Sequence, residues 1–128
     1  MKSSEQISLE EDRLRSEVAK LNDSQRAQFY RELSKHIKDP DTYAALNYVF
    51  FLGIHHAYLG RWMAFIIHTT FIAAIIIGFV KGKAFASSLL FFLVVYDFYE
   101  LFMSQRIVAD ANNRVTAHLL NKYRNNKI

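Results

Sequence analysis

The sequence predicts an all-α integral membrane protein with three membrane-embedded helices, an N-terminal helical hairpin and a C-terminal amphipathic helix. Three observations lead there. Of the 128 residues, 52% are hydrophobic and 15% aromatic, above the usual soluble mixture. The charges are partitioned: between Tyr43 and Met103 only Arg61, Lys81, Lys83, Asp97 and Glu100 are formally charged, whereas the flanks hold 13 of 16 Lys and Arg and 10 of 12 Asp and Glu. Finally, no segment shows the strict alternation of a strand. The chain divides accordingly into a polar stretch 1–41, a membrane stretch 42–103 and a basic tail 104–128.

In the first stretch, Ser8-Leu9-Glu10-Glu11 has the spacing of a capping box and is expected to start a helix. Leu14, Val18 and Leu21 then recur on one face, and Asn22-Asp23-Ser24 offers the next N-cap. Phe29, Tyr30, Leu33 and Ile37 carry a second helix until Asp39-Pro40-Asp41 ends it. The expectation is an antiparallel hairpin with narrow apolar stripes. Such stripes need a further surface to lean on. The N-terminus has no apolar core or small-residue cleavage site of a signal peptide.

Three apolar segments follow. Tyr43 to Leu59 is marginally long for about 30 Å of hydrocarbon and contains Asn47, His55 and His56. Trp62 to Val80 has no formal charge, with His68, Thr69 and Thr70 as its polar points. Ala84 to Met103 is as long but carries Asp97 and Glu100, and Lys81-Gly82-Lys83 forms the turn before it, its ammonium groups free to snorkel. Beyond Met103 the helix need not stop, since Ile107, Ala111, Val115 and Leu119 repeat every four residues as far as Tyr123, and this tail helix is expected to lie against the membrane surface or the N-terminal hairpin.

Residues 104–128 hold five basic and one acidic group, so the tail supplies most of the net charge of +4. A basic segment beside a membrane helix is drawn to anionic headgroups. Lipid is therefore the expected partner, along with other membrane proteins or a second copy; nucleic acid is not, for no reader motif accompanies the charge. The absence of cysteine removes disulfides, thiolate catalysis and cysteine zinc sites. No Gly-rich phosphate loop or activated serine is present, so no enzyme, catalytic residue or cofactor is expected.

The candidate site residues are the intramembrane polar groups Asp97, Glu100, His55, His56 and Arg61. Ionisable groups in lipid are expensive, about 2.5 to 3.5 kcal/mol on insertion scales, and so need a reason. Asp97 and Glu100, three apart, share one helix face. One reading is a proton or cation site with His55, His56 or His68. The favoured reading is a polar clasp, in which Asp97 takes a charge or hydrogen bonds from Arg61 or a His while Glu100 reaches the interface. His55-His56 alone is a poor metal motif, because adjacent helical residues point about 100° apart. His56 and Tyr58 suit an interfacial helix end. Gly53 suits a close helix crossing and Gly60 a turn.

At Phe51-Leu52-Gly53-Ile54-His55-His56-Ala57-Tyr58-Leu59-Gly60-Arg61 the chain resembles the first signature of the TM-two domain family of small membrane proteins. Its second signature, an intramembrane Asp followed by Leu-Phe and a polar run ending in Asn, is similar to Asp97, Leu101-Phe102 and Asn112-Asn113. Ser24 to Phe29 resembles bacterial members. The resemblance implies a bacterial inner-membrane location and transfers no catalytic role or cofactor. Relatives usually have two membrane helices and a shorter stretch between the signatures; this chain has the full-length apolar helix Trp62–Val80 there.

Together these readings give a non-enzymatic membrane anchor or interaction module; the alternative is a small proton or cation transport component using Asp97, Glu100 and a His. Lys and Arg counts favour a cytoplasmic N-terminus. Three crossings place the termini on opposite sides and bring His55, His56 and Arg61 to the depth of Asp97 and Glu100. Two full crossings are expected to separate those groups.

Overall fold

The computed structural model describes residues 2–49 and 52–125, and every regular element among them is helical. The chain folds as two compact units, one formed by both ends of the sequence, 1–39 with 106–128, and one by residues 40–105.

In the first unit, α1 (Ser4–Ala19) starts one turn earlier than expected. Ser3 caps it, its hydroxyl accepting from Gln6 N at 3.1 Å while the Gln6 side chain accepts from Ser3 N at 2.9 Å. Two boxes of similar spacing compete here, and the upstream one adds a turn that buries Ile7 and lets Asn113 Nδ2 donate to the Ile7 carbonyl at 2.9 Å. Helix α2 (Asp23–Leu33) starts where expected, with Asn22 capping Gln25 N at 2.8 Å. It stops short of Ile37. The Leu33 carbonyl instead accepts from His36 N and Ile37 N, and half-exposed Ile37 gains no burial that would extend the helix.

Helix α7 (Ser104–Asn125) completes this unit. Leu119 and Leu120 join Leu14, Val18, Leu21, Phe29 and Leu33 in one core, with Val115, Ala117 and Tyr123 packed against it. The hairpin thus leans on the tail of its own chain. Polar contacts reinforce the closure: Asn112 exchanges hydrogen bonds with the Lys38 backbone at 2.8 and 2.9 Å, and Arg106 donates to the Lys2 carbonyl at 2.8 Å. Glu32 receives Lys122 Nζ at 2.8 Å and the Tyr123 hydroxyl at 3.0 Å; these hydrogen bonds hold its carboxyl below the ordinary range.

The second unit departs most from expectation. The apolar stretch from Tyr43 to Leu59 is not one span. It forms α3 (Pro40–Tyr48) and α4 (Ile54–Tyr58), the latter entered through Gly53 at φ 58°. Pro40, expected only to end a helix, is the first residue of α3, where its missing N–H costs nothing. The break has a reason: Tyr43, Asn47, His55 and His56 are all buried in one interior, and a straight rod could not aim all four there.

Helices α5 (Trp62–Val80) and α6 (Phe85–Phe102) match the two remaining apolar segments. They form an antiparallel hairpin through Lys81–Ala84, since Gly78 lies against Ala86 near the turn while His68 approaches Asp97 far from it. A Cβ on Gly78 would lie 2.9 Å from that of Ala86, so glycine permits the close crossing. Both helices are long and apolar enough to cross a membrane. Among the described residues no third helix is. Met103 then interrupts the chain before α7, so α6 and α7 are separate helices.

Candidate functional site

The polar residues of the second unit gather at one end of the α5–α6 hairpin. Glu100, placed by α6 two residues before its end, is the hub. It is buried, and its Oε2 accepts from the Tyr43 hydroxyl at 3.1 Å and lies 3.0 Å from His55 Nε2. Its Oε1 accepts from the Tyr96 hydroxyl at 2.8 Å and from Arg61 at 3.5 Å. His56 Nδ1 stands 3.7 Å from Oε2, close enough for attraction but beyond a hydrogen bond. Four elements thus converge on one carboxylate: α3, α4, the residue leading into α5, and α6 itself.

One turn back on α6, Asp97 is fully buried, and its environment is different. Its backbone carbonyl accepts from Asn47 Nδ2 at 3.1 Å. Its carboxylate accepts no hydrogen bond among the described residues, and the nearest ionisable nitrogen, His68 Nδ1 on α5, is 3.7 Å from Oδ1. The polar contacts thus centre on Glu100 and not on Asp97: Arg61 addresses Glu100, which is buried, and His68 is the ionisable neighbour of Asp97.

The histidines also differ from expectation. His56, assigned to an interfacial helix end, is 2% exposed. The rings of His55 and His56 have centroids 4.1 Å apart, and His68 stands at 5.6 and 5.4 Å from them. The divergence expected of neighbours on a helix applies to their Cα–Cβ directions. Here α4 is only five residues long, and the third imidazole comes from another helix.

Gly53 explains how His68 fits. A Cβ there would meet the His68 Cδ2, Cγ and Cβ atoms at 2.9, 3.0 and 3.1 Å, so the imidazole stem lies on bare backbone. The close crossing expected at Gly53 is thus with a histidine side chain. Gly60, at φ 71° with nothing within 4 Å of a Cβ, answers to the turn reading, and Tyr58 is half-buried at the end of α4. These two glycines allow a controlled comparison. Alanine at either must adopt a left-handed conformation costing about 1–2 kcal/mol, but only at position 53 must it also displace His68. Gly53→Ala is expected to lower the unfolding midpoint in mild detergent clearly more than Gly60→Ala; equal losses would mean that the His68 contact is unimportant.

Tyr43, Asn47 and Tyr96 belong to the site without having been singled out from sequence. Tyr43 and Asn47 are four apart and share a face of α3, and Tyr96 is four before Glu100 on α6. That spacing was the available signal. The sites of Phe50 and Phe51, the latter part of the first signature, lie outside the described residues. Searches against protein-family profiles, characterised proteins and solved structures find no match.

Proposed function

We propose that this chain is a small, non-enzymatic integral membrane protein whose α5–α6 hairpin crosses the bilayer twice and anchors a cytoplasmic three-helix interaction module. The observation that carries the reading is an inverted distribution of polarity. Only 17% of the residues in the apolar stretch of each long helix are buried, and Met63, Ile67, Val80, Phe91, Phe92 and Phe102 stand exposed while Asp97, Glu100 and His68 are hidden. In water that arrangement is unfavourable in both respects. In hydrocarbon it is favourable in both, since apolar side chains face lipid and polar groups satisfy one another inside.

The first unit's core favours two crossings over the three expected from sequence. Leu14, Val18, Phe29 and Leu33 from the N-terminal helices pack with Leu119 and Leu120 from α7, which requires both ends of the chain on the same side. That pairing supports an even number of crossings. Nor does a two-crossing hairpin separate the polar groups: His55, His56 and Arg61 precede the start of α5, and in an antiparallel pair that start lies beside the end of α6, where Glu100 is. Within about 20 residues of the spans, Arg61, Arg106, Arg114 and Lys122 flank the outer ends against Lys81 and Lys83 at the hairpin turn, which favours cytoplasmic termini. Two crossings are also the usual count in the TM-two domain family, whose signatures this chain resembles at Gly53, Tyr58, Gly60 and Asp97, with Ser24 to Phe29 resembling its bacterial members. The bacterial inner membrane is the location that resemblance suggests.

Single cysteines introduced into this cysteine-free chain at Ser4, Lys83 and Asn125 test the arrangement with a membrane-impermeant maleimide on intact, outer-membrane-permeabilised cells. Lys83→Cys is expected to label, and Ser4→Cys and Asn125→Cys are expected to be protected. Opposite results at Ser4 and Asn125 would establish an odd number of crossings and sink the reading. A second reading, a proton or cation transport component, is favoured by the buried Asp97 carboxylate; flux through proteoliposomes that Asp97→Asn abolishes would replace the anchor with it.

A further inference from the structure

The interior formed by α4, α5 and α6 brings three imidazoles together. One ring nitrogen from each of His55, His56 and His68 lies within 4.8 Å of the other two, and all three residues are buried. Three points no farther apart than that share a centre within about 2.8 Å of each, and zinc–nitrogen bonds are about 2.0–2.1 Å, so shifts of about 0.7 Å would bring all three nitrogens to one ion. Small torsional adjustments of the imidazoles supply such shifts.

Two further features point to a cation at that centre. His56 Nδ1 has no hydrogen-bond partner among the described residues, and neither carboxylate oxygen of fully buried Asp97 has one. A buried ring nitrogen and a buried carboxylate are both left without a hydrogen bond, and a metal dication among the imidazoles answers both. Glu100 adds the surrounding chemistry. As an acceptor 3.0 Å from His55 Nε2 it places a proton on that nitrogen and leaves Nδ1 with its lone pair, the arrangement by which a carboxylate orients a metal-binding imidazole.

We propose that His55, His56 and His68 bind one divalent transition-metal ion of the imidazole-preferring class, zinc above all, with Asp97 compensating its charge. Imidazole donors select against magnesium and calcium, which take oxygen ligands. The site requires neither transport nor a particular number of bilayer crossings, so it stands apart from the functional reading above.

The test uses the full chain, purified in mild detergent, stripped with a chelator, and titrated with Zn²⁺ by calorimetry and with Co²⁺ by visible absorption. One ion per chain is expected to bind saturably, Co²⁺ giving the d–d bands of a low-coordinate site. X-ray absorption of the zinc-loaded protein is expected to show three imidazole nitrogens. His68→Gln and His55→Gln should each weaken binding by about a hundredfold, Asp97→Asn by about tenfold, and His118→Gln, at an exposed position of α7, not at all. Absence of saturable binding, an oxygen-dominated absorption spectrum, or equal losses from His118→Gln and His68→Gln would overturn the site. Should a histidine variant fail to fold, the X-ray absorption of the unsubstituted protein still decides.

Discussion

Replacing Glu100 by leucine is expected to destabilise the second unit by roughly 3–5 kcal/mol, the cost of removing one partner from a buried charged network. The carboxylate accepts from Tyr43 and Tyr96, pairs with His55 and neutralises part of the Arg61 charge. Leucine fills similar volume but accepts nothing. Tyr43 and His55 are then buried with donors unanswered, at about 1–3 kcal/mol for each group. Leucine is also the better residue for insertion into lipid, a gain of opposite sign to this loss. If the helix crosses the bilayer as proposed, that gain belongs to it whether or not it has packed, so it cancels from assembly. Glutamine retains one acceptor oxygen, and Glu100→Gln is expected to lose less than half as much; Tyr43→Phe removes one donor and should cost about 1 kcal/mol. Unfolding in a denaturing-detergent titration, followed by helical circular dichroism, measures all three. A Glu100→Leu protein as stable as Glu100→Gln would mean that the carboxylate does not hold α3 and α4 to α6.

The parts of the fold that the sequence announced are those governed by local or one-dimensional signals. The two uncharged or nearly uncharged helices, Trp62–Val80 and Phe85–Phe102, follow from length and hydrophobicity, and Asn22 caps α2 because an Asn-x-x-Gln box needs only four residues to work. The interior of residues 43–59 was less legible. Its apolar count is that of a marginal span, but the fold there is decided by where Tyr43, Asn47, His55 and His56 must point, and that depends on Glu100, 45 residues beyond His55. Windowed hydrophobicity treats those four side chains as blemishes in a span; the structure uses them as its reason for breaking one. For the same reason His68 read as one of three polar points in an apolar helix and as one of several candidate partners for Asp97 and Glu100. Only the hairpin register that sets it against Asp97, and the missing side chain at Gly53, give it a role. The stripe on α7 was visible as a four-residue repeat with two candidate partners, the membrane surface and the N-terminal hairpin; an apolar stripe states that it will be covered and not by what, and the hairpin is what covers it. Val108, Leu119 and Leu120 are its most buried positions, while Ile107, Ala111 and Val115 are only partly covered, a rotation set by packing against α1 and α2.

Phe29→Ala is expected to cost the first unit about 3–5 kcal/mol, as aromatic truncations in closed cores do. Phe29 is fully buried, it lies in the cluster that joins Leu14, Val18 and Leu33 to Leu119 and Leu120, and its ring meets that of Tyr123 edge to face at 5.8 Å. The edge-to-face contact adds about 0.5–1.5 kcal/mol to the burial of the ring. A unit of about 60 residues has little stability in reserve, so a loss of that size is a large share of the total. Because the core joins the N-terminal helices to α7, the effect should appear at both ends of the sequence. Amide exchange is expected to accelerate across Val115–Tyr123 as well as across α2, while the α5–α6 hairpin keeps its protection. Tyr30→Ala supplies the control, since Tyr30 is the next residue on the same helix, also aromatic, and half-exposed. It should change exchange in α7 little. If both substitutions loosen α7 equally, or if Phe29→Ala loosens α2 while α7 stays protected, then the two ends of the chain are not held by this core, and the argument for an even number of crossings loses its footing.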